Sequence, residues 1–374
     1  MPMADKHLRI IGLDLVRAAA IAAVLVAHMA ELTATWWPAT WVLRVGGFVG
    51  VETFFALSGF LVGGILHRSL VGGTLSLGRF LRRRWLRTIP AYVVFLTLNL
   101  LFASRFYGVT TSWQEVGTYL LYVQNLGWQH SPLFPEAWSL AVEEWFYLVA
   151  PLLLLGFARL LPVHLAYMAM AGLLVVVPLV YRLAFVAVTD PSWDDGVRKI
   201  VLLRLDAIGV GVLVAGLHQQ GFLSCRRVRN VSAAFGDFLF MLSVVAFWRA
   251  APEGGLDMSY AARTWLLFLC PLGAALTLPL FARVENLPGH VVSVMVRWLA
   301  LISYSAYLCN LLILQVLMVS GRLRSLHPVW QIVLFFVGTL TVATASYLAV
   351  ERPFMRLARR LDAKQSQRSA HPQL

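Results

Sequence analysis

Groups able to move protons or bind anions stand inside apolar runs of this chain, where they are costly. Residues 12–31 read GLDLVRAAAIAAVLVAHMAE, with Arg17 and His28 framing ten apolar residues and Asp14 just ahead. Eleven residues at about 100° each leave Arg17 and His28 roughly 20° apart on a helix and about 16 Å apart along its axis. Asp14 lies one turn before Arg17 on the same face. Ionisable groups in a membrane span normally face a bundle interior or a wet cavity, so the stripe predicts an interior polar track. The plainer alternative is that Arg17 snorkels to one surface while His28 caps the other end.

Six further stretches carry candidate chemistry. GVETFFALSGF (50–60) holds Glu52, and its Ser58 and Gly59 have so little volume that helices can pack closely or a backbone can approach a ligand. GRFLRRRWLRTIP sets Arg79, Arg82, Arg83, Arg84 and Arg87 close together. The cluster reads either as topogenic charge against anionic lipid or as a phosphate site, since guanidinium forks match phosphate oxygens. Arg84 and Arg87 share a face, and Pro90 suits a first helical turn. PEAWSLAVEEWFY (135–147) places Glu143 and Glu144 side by side in an apolar span, about 100° apart and so facing different partners. RLDAIGVGVLVAG holds Arg204 and Asp206, and ISYSAYLCN holds Ser303, Tyr304, Tyr307 and Asn310. Glu351, Arg352 and Pro353 read as an ion pair and a helix stop.

The elements that must position these residues are membrane helices. The chain is 59% hydrophobic and 13% charged, with a mean hydropathy of +0.74, whereas a soluble domain carries about a quarter charged residues. The expected fold is an all-α, polytopic transmembrane bundle of about ten spans. They lie near 9–29, 45–67, 87–104, 137–157, 164–187, 200–218, 232–250, 263–282, 297–319 and 329–350. The short alternating segments of a β-barrel are absent. Segment 113–127 is too short and polar to span and is expected to lie at the interface or re-enter. The net charge of +13 reads as positive-inside bias, with no nucleic acid as partner. Twenty of the 31 Lys and Arg residues fall on one side and eight on the other, which puts both termini in the cytoplasm. Trp36, Trp37, Trp41, Trp193 and Trp330 mark the outer edge as an aromatic belt. Cys225, Cys270 and Cys309 show neither metal nor disulfide spacing, and no metal site is expected. Lys6 and Arg9 precede a run too long for a signal peptide, so the first helix reads as retained. No internal repeat is evident. Residues 1–361 form the membrane domain, and the polar 362–374 are expected to be a disordered cytoplasmic tail.

Taken in order, these motifs resemble membrane acyltransferase family 3, the O-acetyltransferase type acting on cell-surface glycans and some macrolides. The resemblance runs from Leu8 to about Arg356. It rests on Arg17 and His28 in the first helix, on Ser58-Gly59-Phe60, and on Arg84 and Arg87 before Pro90. It rests also on Trp138, Ser139, Leu140, Glu143, Glu144, Phe146 and Tyr147, and on Arg204, Asp206 and Gly211. The chain departs from the family at Asn310, where histidine is frequent, and at Glu52, where aspartate is frequent. The extracytoplasmic hydrolase-like domain of some members is not evident, so the core is expected to hand over its acyl group directly or to rely on a partner.

The resemblance implies acyl-CoA, usually acetyl-CoA, as a cytoplasmic co-substrate with no bound cofactor. It implies an extracytoplasmic or lipid-linked carbohydrate as acceptor, in a bacterial cytoplasmic membrane. His28 would act as general base, with Glu143 or Glu144 orienting it, or would carry the acyl group itself. Arg17 would line the channel to the donor. Arg84, Arg87 and Arg83, with Ser58 and Gly59, would bind the donor. Asp14, Glu52, Trp138, Ser139, Tyr147, Arg204, Asp206, Tyr304 and Asn310 would support the site. Within the enzyme class, a small-molecule antibiotic or lipid-linked signal is the alternative acceptor. A transporter or flippase is the rival class, although no paired broken helices mark two halves. A structural scaffold is disfavoured by the intramembrane charges.

Overall fold

Long runs of Leu, Val, Ala and Phe without charge can satisfy their backbone in lipid only as helices, and helices are what they form. The computed structural model describes residues 10–33, 41–129 and 131–370. Its helices are α1 (Ile11–Thr33), α2 (Trp41–Val71), α3 (Leu77–Tyr107), α4 (Trp113–Leu120), α5 (Ala137–Phe157), α6 (Val163–Thr189), α7 (Leu205–Gln219), α8 (Arg226–Ala250), α9 (Gly255–Met258), α10 (Leu267–Phe281), α11 (His290–Val319), α12 (Gly321–Arg324), α13 (Pro328–Ser346) and α14 (Arg352–Ala370). Nine helices among the described residues are long and apolar enough to cross a membrane. Two of these continue through π-helical turns, at Ala262–Leu266 and Tyr347–Glu351. The shorter apolar α7 occupies the sixth predicted position, so the span count follows the sequence closely. No strand occurs among the described residues. Lys6, Arg9, Trp36 and Trp37 lie outside them.

Glycines let the central helices meet backbone to backbone. A Cβ on Gly46 would lie 2.5 Å from the Ala23 carbonyl oxygen, and one on Gly50 2.7 Å from that of Ala20, so α2 lies directly on α1. Between α2 and α7 the contact is reciprocal. A Cβ on Gly59 would meet the Ile208 oxygen at 2.0 Å, and one on Gly211 the Ala56 oxygen at 2.1 Å. Small residues of this kind let membrane helices gain dispersion contact that lipid cannot supply.

Two departures from the sequence expectation, and one segment that re-enters as the sequence allows, shape the site. The predicted span 200–218 becomes helical only at Leu205, because the chain first makes a π turn at Asp194–Arg198 and a 3-10 turn at Val201–Leu203, leaving Arg204 as N-cap. Segment 113–127 forms the short α4 and then folds in. Tyr122 takes a φ of 56°, and the buried Asn125 amide donates to the carbonyls of Trp138 (3.1 Å) and Lys199 (2.5 Å). The polar segment beyond Leu361, for which composition suggests disorder, is helical as far as Ala370. Asp362 gives it an anchor, since its carboxylate pairs with both Arg82 and Arg83 of α3.

Candidate active site

α1 brings His28 against α11, where the imidazole Nδ1 meets the Asn310 side-chain oxygen. The direction of this bond follows from the other half of the amide. Asn310 Nδ2 donates to the carbonyls of Ala306 (3.1 Å) and Tyr307 (2.6 Å). Its Oδ1 is therefore the atom turned to His28, and an amide oxygen only accepts. His28 Nδ1 must carry a hydrogen, which in the neutral imidazole leaves Nε2 with a free lone pair. The asparagine in place of histidine thus sets a tautomer without competing for the proton.

Around this pair sits an aromatic and polar wall from α5. Ser139 Oγ lies 2.7 Å from the Tyr307 hydroxyl, and Trp138 packs edge-on against Phe55 with ring centroids 5.9 Å apart. Glu136, buried at the mouth of α5, accepts from the Leu311 N–H at 3.1 Å. Burial pushes its carboxyl up to about 8. An interior helical N–H ordinarily goes to the carbonyl four residues back. In α11 that carbonyl, Tyr307, also takes the Asn310 amide, so Glu136 and Asn310 lock one turn of the helix between them. The Arg198 guanidinium lies over the Trp138 and Trp193 rings, 4.8 and 5.4 Å from their centroids.

A second polar cluster lies deeper, between α2, α3, α5 and α11. Tyr147 donates to Glu143 at 2.8 Å and lies 3.1 Å from Ser58 Oγ. Thr88 donates to Glu144 at 2.7 Å, and Tyr304 donates to the Thr88 carbonyl at 3.0 Å. Arg84 stands over the Tyr147 ring, 5.6 Å from its centroid. Arg17, Arg84 and Arg87 all lie within electrostatic reach of Glu143. Arg17, Arg84 and Arg87 and the carboxylates of α5 thus form one polar cluster between the helices.

Several sequence-predicted residues take other places. Neither Glu143 nor Glu144 is hydrogen-bonded to His28 among the described residues; Tyr147 and Thr88 hold them. The reason is helical rise: Glu143 lies four residues, about 6 Å, deeper than Ser139, which borders the His28 group. Gly59 packs directly against α7, where a Cβ would meet the Ile208 carbonyl oxygen. Arg83 pairs with Asp362 and lies mostly exposed. Asp14 is buried at the far end of α1, about 21 Å along the axis from His28.

Glu52, Arg204 and Asp206 form a separate ionic core. Arg204 pairs with Glu52 and donates to the Leu267 carbonyl at 2.8 Å. Arg182 pairs with Asp206 through two bonds of 2.9 and 2.7 Å and also donates to the Leu203 carbonyl at 2.7 Å. These four side chains are fully buried, and each has its opposite charge, as a low-dielectric interior demands. They join α2, α6, α7 and α10 and hold the Arg198 loop at the mouth.

Sequence reasoning missed Glu136 and Arg198 as site residues. Glu136 read as part of a motif flank, and Arg198 as one of the outer loop charges. The available signal was Asp194, four residues before Arg198, a spacing at which a carboxylate holds a guanidinium. The observed distance is 2.8 Å. Burial works against the Asp194 charge, yet Arg198 and Lys199 together keep its carboxyl below the usual range.

Comparison with known proteins agrees with this architecture. A family model described as an acyltransferase domain matches residues 10–348. The chain is 26% identical to the peptidoglycan O-acetyltransferase OatA of Listeria monocytogenes, over 92% of its own length and 56% of that protein. It is 27% identical to the putative peptidoglycan O-acetyltransferase YrhL of Bacillus subtilis, over 93% of its length and 55% of the relative. A putative O-acetyltransferase of Staphylococcus aureus is 32% identical over 40% of the chain and 25% of that protein. The chain therefore spans about half the length of the first two relatives. No solved structure matches.

Proposed function

Because the chain belongs to the acyltransferase domain family, we propose that it is a membrane O-acyltransferase that moves an acetyl group from cytoplasmic acetyl-CoA to a hydroxyl of an extracytoplasmic glycan. The observation that carries the reading is the His28–Asn310 pair. An imidazole with Nδ1 protonated and Nε2 bare is prepared to take a proton from an attacking hydroxyl. Asn310 plays the part a carboxylate takes in a serine triad, as an orienting group that need not be charged. Glu143 and Glu144 then belong to the donor side, with Arg17, Arg84 and Arg87, rather than to the imidazole.

The two clusters suit the two substrates. Arg84 and Arg87 supply guanidinium forks for the phosphates of CoA. Pantetheine is long and thin enough to pass between the helices beside Ser58, Tyr147 and Glu143 and present its thioester near His28. The excess of basic residues on the loops beside Arg84 supports a cytoplasmic entry, which puts His28 and the Trp138 wall toward the outer face. The names of the relatives support peptidoglycan, or a lipid-linked precursor of it, as acceptor. These relatives extend beyond the matched region, so a second segment or a partner that receives the acetyl group agrees with the same reading. A bacterial cytoplasmic membrane is the location it requires.

The test is transfer by purified protein in lipid, with labelled acetyl-CoA and peptidoglycan fragments, read as acceptor label and CoA release. His28→Ala is expected to lower the rate by at least 10²-fold, the usual share of a positioned general base. Full activity in a folded His28→Ala protein would sink the proposal. Label retained on wild-type protein given donor alone would assign Nε2 as nucleophile; its absence, with transfer intact, would assign it as base.

A further inference from the structure

Acyl transfer makes negative charge as well as moving a proton. When a hydroxyl attacks a thioester, the carbonyl oxygen becomes an oxyanion, and preorganised donors at that point carry much of the catalysis. The His28–Asn310 pair offers no such donor. Asn310 Nδ2 is spent on Ala306 and Tyr307, and the hydrogen on His28 Nδ1 is spent on Asn310.

One cation borders the pair from outside. Arg198 lies in the loop before α7, its guanidinium held between the Trp138 and Trp193 rings. One end of the fork is tied to Asp194 at 2.8 Å. The other reaches the Gly47 carbonyl at 3.5 Å. Gly47 packs on α1 directly at Ala27, the residue before His28, since a Cβ on it would lie 3.2 Å from the Ala27 Cβ. The guanidinium is thus tied to the part of α2 that packs on α1 beside His28, and its charge reaches both His28 and Tyr307. Its Nε–H is buried and has no partner among the described residues.

The seat is rigid. Trp193 is wedged against Phe48 and Phe247, with ring centroids 5.7 and 5.6 Å away. Its indole N–H donates to the Ala262 carbonyl at 3.0 Å, and its backbone N–H to Asp257 at 2.6 Å. A surface arginine that served only topology would need none of this. A donor meant for charge that appears only during reaction needs to be held in advance.

We propose that Arg198 is the oxyanion-binding residue of the acyl-transfer step. The inference rests on the reading of His28 as the reacting base. In the step, the acceptor oxygen bonds to the thioester carbon while its proton passes to His28 Nε2. The carbonyl electron pair moves onto oxygen, facing the Arg198 N–H groups. Collapse of this intermediate breaks the carbon–sulfur bond, and the leaving thiolate takes the proton back from the imidazolium.

The experiment is steady-state transfer by wild type, Arg198→Ala, Arg198→Lys and His28→Ala in lipid, with folding checked by thermal unfolding. Arg198→Ala is expected to lower kcat by about 10²–10³-fold, with KM for acetyl-CoA and for acceptor within about threefold of wild type. Arg198→Lys, which keeps the charge and loses the fork, is expected to recover at least tenfold over Ala. Asp194→Asn, which frees one end of the fork and leaves the ring stack, covers the case in which Arg198→Ala does not fold; its kcat is expected to fall about fivefold or more. A folded Arg198→Ala enzyme with normal kcat overturns the proposal. A loss confined to KM for acceptor also overturns it and makes Arg198 a binding determinant. Lysine no better than alanine overturns it in favour of a structural role. If Arg198→Ala does not fold, unchanged kcat in Asp194→Asn overturns it. If His28→Ala is inactive while Arg198→Ala is not, only the Arg198 assignment falls; if His28→Ala is active, the whole reading of the site falls with it.

Discussion

Asn310 changes meaning between sequence and structure. Against a family pattern with histidine, it looks like the loss of a proton carrier. In the fold its amide is oriented by two carbonyls of its own helix, so it can only accept from His28 and selects the tautomer with Nε2 bare. Asn310→Leu, similar in volume but without the acceptor, should leave the protein folded and lower kcat by about 10²–10⁴-fold, the share that a positioned general base contributes. Measured kcat within threefold of wild type would show that the tautomer is set elsewhere. The identity of His28 and Asn310 as polar groups in spans was legible from sequence. Their contact was not, because 282 residues separate them and no local pattern records which helix α1 lies against.

At the scale of elements, hydropathy located the helices because lipid leaves the backbone little choice. It misjudged the start of α7, where a span-like apolar run covers a 3-10 turn ending at Arg204. Helix pairing was less legible. Ser58 and Gly59 suggested either packing or a ligand, and only the position of α7 decides for packing at Gly59. The same holds for charge. Arg204 and Asp206 are neighbours in sequence yet pair with Glu52 and Arg182 on other helices. Arg182→Met should therefore destabilise the protein by about 3–5 kcal/mol, by leaving Asp206 buried without its partner. Arg182→Met with Asp206→Leu should recover most of that loss, because two apolar side chains replace a pair that was costly to bury. Thermal unfolding in one detergent checks both, and a double variant no more stable than the single would deny the pairing its role.

For the whole molecule, orientation decides which substrate meets which cluster. Cys225, at the start of α8, is exposed, whereas Cys270 and Cys309 are buried. The N–H groups of Val228 and Arg227 hold the Cys225 thiol below its ordinary range, which makes it a native reporter. The proposed orientation, with both termini in the cytoplasm, puts it inside. A membrane-impermeant maleimide should leave it unlabelled in intact cells and label it after permeabilisation. Labelling in intact cells would invert the assignment and put Arg84 and Arg87 on the acceptor side.

The bond between Glu52 and Arg204 also sets a timetable. The two residues lie 152 positions apart, and a ribosome adds about 5–20 residues per second. Roughly 8 to 30 s therefore pass after Glu52 is made before its counter-ion exists. During that interval α2 cannot rest in the lipid as it rests in the finished bundle. It must wait near water, against the insertion machinery, or with its carboxyl protonated. α1 is in the same position, since the partner of His28 is made later still. Helices α1 and α2 are thus made well before the helices that hold them, and the site that they form closes only when α11 arrives.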